Sequence, residues 1–351
     1  MVLLFCTFLL AFSVSIALTP LVRRIAFKYD VCAQPNHRTV HKGSIPRLGG
    51  LSVFIAFGTG ILAILLFPDS QYDVLKRETL IFLLGGSLIL SLGIYDDIKG
   101  ANCYQKFGVQ LLAATIVTLF GYKITTILNP FGGSVSLGIF NVPFTILWII
   151  LITNALNLID GLDGLAAGIS LGAACIIIFV SLWFGNLISA FPAAILAGAI
   201  GGFLIYNFNP AKIFLGDSGS LFIGFMLACF SINGTFRNSS GVAIYIPIIV
   251  LGIPIIDTLL AIVRRTRKGV HLFKADKEHI HHRLLQLGLS HRGTVLLLHC
   301  VSFSWGLVAF AIAITGTQYS LLLLLPVFGT IIIGLRKLGF GKYFLIKSSR
   351  R

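Results

Sequence analysis

Residues 142–153, VPFTILWIILIT, carry no charge, and the stretch that follows them, NALNLIDGLDGLAAG at 154–168, holds two Asn and two Asp. Asn154, Asn157 and Asp160 are spaced three apart and therefore share one face of a helix. Asp163 follows beyond Gly161 and Leu162. Three further polar clusters interrupt the apolar chain. YDDIKGANCYQK contains Asp96, Asp97 and Lys106. NPAKIFLGDSGS sets Asp217 between Gly216 and Ser218, just after Phe214. ADKEHIHHRLLQLG brings His279, His281, His282 and Arg283 together. Carboxylates and carboxamides are hard oxygen ligands suited to Mg²⁺, which takes one or two protein groups and completes its shell with water and substrate phosphates. Arg- and His-rich loops suit phosphate oxygens. Glycine turns let backbone N–H groups approach them closely. These parts suffice for phosphoryl transfer, where positioning, a cation and donors to the equatorial oxygens do most of the work.

The elements that hold these residues are membrane helices. The chain has 351 residues, 56% hydrophobic and only 11% charged, against about 25% charged in ordinary soluble domains. Crossing about 30 Å of hydrocarbon takes about 20 apolar residues. Eleven segments qualify, near 2–22, 48–67, 78–95, 107–121, 142–159, 165–184, 189–207, 219–235, 242–263, 294–314 and 318–335. The expected fold is thus an all-α polytopic membrane protein, a single domain over 1–351, with a short β-hairpin in the outer loop 122–141. No basic residue precedes the first apolar run, so it reads as an uncleaved span rather than a signal peptide.

Charge placement gives the orientation. One alternating set of loops holds 23 of the 27 Lys and Arg, and the positive-inside rule makes that set cytoplasmic. The N-terminus is then outside and the C-terminus inside. The cytoplasmic loops near 23–47, 96–106, 160–164, 208–218 and 264–293 carry every cluster above. The net charge of +15 is therefore a topology and lipid-surface signal, and nucleic acid is not an expected partner. The six scattered Cys make neither a disulfide framework nor a zinc cage, and His-x-His-His lacks zinc spacing. Asp257 lies inside a span, with Arg264 and Arg265 one to two turns on as partners for a structural role.

Taken in order along nearly the whole chain, the stretches 35–50 (PNHRTVHKGSIPRLGG), 96–106, 154–164, 214–220, 254–258 (PIIDT) and 276–288 resemble the polyprenyl-phosphate N-acetylhexosamine-1-phosphate transferase superfamily, glycosyltransferase family 4. The His-x-His-His loop is similar to the undecaprenyl-phosphate GlcNAc-1-phosphate transferase branch, a relative of the phospho-MurNAc-pentapeptide translocases. The resemblance implies transfer of GlcNAc-1-phosphate from the UDP-sugar to undecaprenyl phosphate at the cytoplasmic face of a bacterial inner membrane. Mg²⁺ would be the cofactor, with Mn²⁺ as a substitute, and the assembly a homodimer. It makes Asp217 and Asn157 the metal ligands. Asp96 and Asp97 become the pair needed for turnover, with Lys106 as the paired lysine and Asp160 grouped with them. Phe214 would stack on uracil, and Gly161, Leu162 and Asp163 would close the uridine pocket. His279, His281, His282 and Arg283 would form a lid over sugar and diphosphate. Lys42 and Asn154 join the substrate-binding set. Whether Asp96 or Asp97 acts as base or as an organiser of metal and acceptor stays open. A cation- or proton-coupled transporter is the second class, because intramembrane carboxylates commonly mark ion pathways.

Overall fold

The computed structural model describes residues 1–33, 44–69, 72–128, 134–232, 245–271, 278–315 and 319–340. Lys42 and part of the 35–50 stretch lie outside them. Helices dominate: α1 (Val2–Lys28), α2 (Gly49–Leu65), α3 (Asp73–Lys99), α4 (Cys103–Leu119), α5 (Asn141–Ile159), α6 (Leu165–Trp183), α7 (Leu187–Asn207), α8 (Gly216–Ile232), α9 (Tyr245–Val250), α10 (Gly252–Arg267), α11 (Ile280–Gln286), α12 (His291–Thr315) and α13 (Ser320–Lys337). Among the described residues, seven helical segments are long and apolar enough to cross a membrane: α1, α3, α5 with its leading 3₁₀ turn, α6, α7, α12 and α13. The apolar helices α2 and α8 are shorter, at 17 residues each. This is a multi-pass, all-α membrane protein.

One expected span is broken. Of the segment 242–263, the described residues 245–263 form two helices, α9 and α10, meeting at Leu251. Pro254 supplies the reason: it has no N–H for the carbonyl of Val250, and its ring crowds that carbonyl. The helical bonds resume with Ile255 N–H donating to Leu251 O at 3.1 Å.

Helix α8 is the axis of the bundle. Every residue from Ser218 to Ser231 is buried, as expected of a helix that is apolar all round. Helices α2, α3, α5, α6 and α7 pack around it. Glycines permit the closest approaches, as in other membrane helix pairs. A Cβ on Gly50 would stand 2.1 Å from Gly219 N, and one on Gly93 would stand 2.4 Å from Ser218 Cα. At the periphery, α13 buries only Ser320 and Val327 and offers its apolar surface to lipid.

Two small antiparallel ladders complete the fold. The expected outer hairpin is present as β3 (Thr126–Leu128) against β4 (Ser134–Ser136), with Ile127 opposite Val135. An unforeseen pair, β1 (Cys32–Ala33) and β2 (Ile45–Pro46), lies beside α2. Backbone bonds fasten this second pair to the approach of α8: Phe214 N–H donates to Pro46 O, Gly49 N–H to Phe214 O and Gly50 N–H to Leu215 O, at 2.9–3.0 Å. The six cysteines are free thiols.

Candidate active site

The polar clusters converge at one end of the bundle. They occupy the last turns of α3 and α5, the turn before α6, and the first turns of α4, α8 and α11. A cavity of about 290 Å³ opens there. Its walls include Arg47, Asp97, Asp160, Asp163, Phe214 and Asp217.

The acidic core is built from three helix ends. Asn102 and Gln105 form a reciprocal capping box that starts α4, placing Lys106 in the first turn. Its ammonium bridges two carboxylates, pairing with Asp96 and with Asp217 Oδ2, the latter at 2.6 Å. Asp96 also accepts the Ala101 N–H at 2.6 Å, which fixes the α3–α4 turn. Asp97 does different work. Its Oδ1 accepts Asp217 N–H at 2.9 Å and its Oδ2 accepts Ser218 N–H at 3.0 Å. It thus satisfies the orphan donors of α8 from another helix, where a negative charge also suits the helix dipole. Gly216 makes room: at φ +73° it is left-handed, and a Cβ there would stand 2.6 Å from Asp97 Oδ2.

Asn157 donates through Nδ2 to Ser220 Oγ at 2.9 Å. The donor end of the carboxamide is thereby engaged, and a hard cation would use the oxygen end. Asp160 follows as the C-cap of α5, part-buried in the cavity wall. Burial, reinforced by the charges of Asp217 and then Asp97, holds its carboxyl well above the usual carboxylate range, with Arg47 pulling the other way. Among the described residues, no three His, Cys, Asp or Glu converge in metal-binding geometry. Mg²⁺ does not require that, since substrate phosphates supply much of its shell. Asp217, Asn157 and the Ser220 hydroxyl make an all-oxygen donor set, which favours Mg²⁺ or Mn²⁺ over softer metals.

The 160–164 turn is tied to the loop after α7. Asp163 Oδ2 accepts Asn209 Nδ2 at 2.9 Å and Ala211 N–H at 3.0 Å. Gly164 N–H donates to Asn207 Oδ1 at 3.1 Å. Gly161 and Leu162 line the cavity beside it. Phe214 lines the cavity too, and its backbone is held by Pro46 and Gly49.

Not every expected residue faces the cavity. Of the His loop, His282 lines it, while His279 and His281 are buried behind. Arg283 pairs with Glu278 and lies over the Phe340 ring at 5.4 Å, so its guanidinium is committed away from the cavity. Asn154 is also withdrawn: its amide exchanges hydrogen bonds with Gln110, at 2.7 and 3.3 Å. Shared face with Asn157 does not put it at the same depth. Two cavity residues with ionisable side chains escaped sequence reasoning. Arg47 was hidden among the 27 cations that signal topology, although it sits in the PRLGG stretch. His291, which accepts Asp163 N–H at 3.0 Å through Nε2, stands alone at a helix start with no patterned neighbours.

Comparison with known proteins places the chain in a class and then in a family. The Glycosyl transferase family 4 profile matches residues 79–235. The chain is 39% identical over 306 residues to the "Probable undecaprenyl-phosphate N-acetylglucosaminyl 1-phosphate transferase" of Bacillus subtilis, covering 87% of this chain and 84% of that protein. It is 38% identical over 318 residues to the "Decaprenyl-phosphate N-acetylglucosaminephosphotransferase" of Mycolicibacterium smegmatis, covering 84% and 77%. It is 32% identical over 301 residues to the "Phospho-N-acetylmuramoyl-pentapeptide-transferase" of Clostridium beijerinckii, covering 83% and 89%. The chain belongs to glycosyl transferase family 4, the polyprenyl-phosphate sugar-1-phosphate transferases.

Proposed function

We propose that this protein transfers GlcNAc-1-phosphate from UDP-GlcNAc to a polyprenyl phosphate, giving polyprenyl-diphosphate-GlcNAc and UMP. The observation that carries the reading is that Lys106 bridges Asp96 to Asp217, which itself lines a cavity walled by Phe214, Arg47 and the 160–163 turn. The sugar in the names of the curated relatives points to GlcNAc. A coupled transporter finds no support: the family is a transferase family, and the carboxylates gather at one end of the bundle rather than at mid-depth, where transporters bind.

A phosphate oxygen of the lipid attacks the β-phosphorus of the UDP-sugar, the bond to the bridging oxygen breaks, and UMP departs. The acceptor phosphate has a second pKa near ~6, so it is largely a dianion at neutral pH. Phe214 holds the uracil face, and Arg47 faces the diphosphate. Asp217 and Asn157 would hold Mg²⁺, which when bound neutralises charge on the diphosphate. Lys106 and Asp96 orient the acceptor beside it, and Asp97 fixes Asp217 through the backbone.

In the same reading all eleven apolar segments cross the bilayer as a single domain. The N-terminus is outside, and the cavity opens to the cytoplasm of a bacterial cell, where the nucleotide sugar is made. The excess of Lys and Arg in one set of loops supports this orientation. Product analysis with purified protein, undecaprenyl phosphate and a panel of UDP-sugars, with and without EDTA, tests the proposal. UMP release from UDP-GlcNAc that EDTA abolishes is the expected result. Absence of lipid-linked product from every UDP-sugar would sink the reading.

A further inference from the structure

Among the described residues, Asp257 is the one carboxylate whose residue is fully enclosed, at 0% exposure, on a helix the reaction above does not use. A buried carboxylate is costly unless donors reach it, and two do. His279 Nδ1 lies 2.8 Å from Asp257 Oδ2, and Ile280 N–H donates to Asp257 Oδ1 at 2.8 Å. The sequence had offered Arg264 and Arg265 for this carboxylate. The structure shows instead that both of its oxygens are turned to the start of α11, which is the His-x-His-His segment itself.

The contacts continue toward the cavity. His279 is the N-cap of α11 and is 6% exposed. Its ring is parallel to that of His281, at 3° and 5.8 Å between centroids, and His281 lies 4.2 Å from His282. His282 lines the cavity. His281 also covers the opening stretch: a Cβ on Gly161 would stand 2.4 Å from His281 Nε2. A continuous path therefore joins the enclosed carboxylate to both the cavity-facing imidazole and the 160–164 turn.

We propose that Asp257 is a positioning residue of the transferase: it fixes the tautomer of His279 and, through the stacked imidazoles, the seat of His282 against the cavity. The proposal rests on the transferase reading above. A carboxylate oxygen accepts, so the 2.8 Å contact makes His279 Nδ1 the donor and fixes which ring nitrogen carries that proton. The bond to Ile280 N–H sets where α11 begins. With both bonds in place, α11 is registered against α10, and the remaining imidazoles follow from helical geometry.

Asp257→Asn preserves volume and an acceptor for Ile280, but turns an amide toward His279 Nδ1 and reverses the tautomer. Loss of a group that orients a functional imidazole typically lowers activity about 10- to 100-fold. The expected result is a fall of that size in kcat, with KM for UDP-GlcNAc and for undecaprenyl phosphate each within about threefold. His279→Gln supplies the second corner of a double-mutant cycle, and the double variant should be no slower than the slower single variant, because positioning through His279 makes the effects non-additive. Multiplying effects, or a change confined to KM, would overturn the proposal. A readout without any variant of Asp257 guards against simple misfolding. In ¹⁵N-histidine-labelled wild-type protein, with His279 assigned by its loss in His279→Gln, Nδ1 should give a protonated, pyrrole-type resonance. An unprotonated Nδ1 overturns the proposal, whereas inactivity of the wild-type protein toward all UDP-sugars overturns the transferase reading instead.

Discussion

Asp97 caps the helix that carries Asp217. Both of its oxygens are spent on backbone N–H groups of that helix, at 2.9 and 3.0 Å. The adjacent Asp96 bonds to Ala101 N–H and Lys106 instead. Two neighbouring aspartates thus have separate tasks, and substitutions should separate them. Asp97→Ala removes a cap, a change worth about 1 kcal/mol in typical helices, and frees Asp217 to shift. It should lower both the thermal midpoint in detergent and kcat. Asp96→Asn should cut kcat while leaving the midpoint nearly unchanged. Equal thermal losses in both variants would contradict this division.

Lys106 occupies the position of a counter-ion between Asp96 and Asp217. A divalent cation bound at Asp217 must share that carboxylate with it. Lys106→Gln should therefore reduce kcat by more than about 100-fold, the range of an essential positioned group, yet leave the Mg²⁺ concentration for half-maximal residual activity the same or lower. A Mg²⁺ requirement that rises steeply would show that Lys106 helps to assemble the metal site rather than competing for it.

Phe214 lines the cavity and its backbone is pinned on both sides by Pro46 and Gly49. Phe214→Ala should accordingly leave the local chain in place and remove only the stacking surface. Base–aromatic stacking is worth about 1–3 kcal/mol, or roughly 5- to 150-fold in affinity. KM for UDP-GlcNAc should rise within that range and KM for the lipid should not. Calorimetry of UMP binding gives the same answer without turnover, and unchanged UMP affinity would place the uracil elsewhere.

His281 is buried with neither ring nitrogen hydrogen-bonded among the described residues. Burial, and next the neighbouring His282, push its pKa down to about 3. In the unfolded chain it titrates near ~6.5. Between these values the unfolded state holds one more proton than the folded state, so stability is complete above about pH 6.5 and falls as pH drops toward 3. The slope from this residue is at most about 1.4 kcal/mol per pH unit. His281→Phe should flatten the acid side of a melting-temperature profile while leaving the neutral side near its original level. A profile of unchanged slope would mean that His281 takes up its proton without unfolding.

Much of this was legible in the residues. Hydropathy located the helices because the membrane demands long apolar runs, and the four polar clusters announced themselves by interrupting those runs. What stayed hidden depended on direction. Spacing put Asn154 on the face of Asn157, but Gln110 sits at its depth and takes its amide. Adjacency put Arg283 beside the histidines, but Glu278 and Phe340 draw it aside. Hydropathy averages are blind to Pro254, so one apolar segment concealed two helices. Arg47 looked like one topology charge among many. Only the strand pair in front of α2, which local sequence did not suggest, aims it at the cavity.

The backbone bonds between residues 46–50 and 214–215, with Gly50 seated on Gly219, also bear on how the protein is made. Helix α2 leaves the ribosome long before α8, with roughly 170 residues of synthesis between the two halves of the seam, or on the order of ten to thirty seconds at ordinary elongation rates. During that interval α2 can lean on α1 and then on α7, both of which it also contacts, but Gly50 still lacks the Gly219 backbone on which it seats. The α8 wall of the cavity is thus added late, when that helix enters the middle of helices already in the membrane, and truncation shortly before residue 216 leaves a chain whose cavity lacks Asp217 and everything after it.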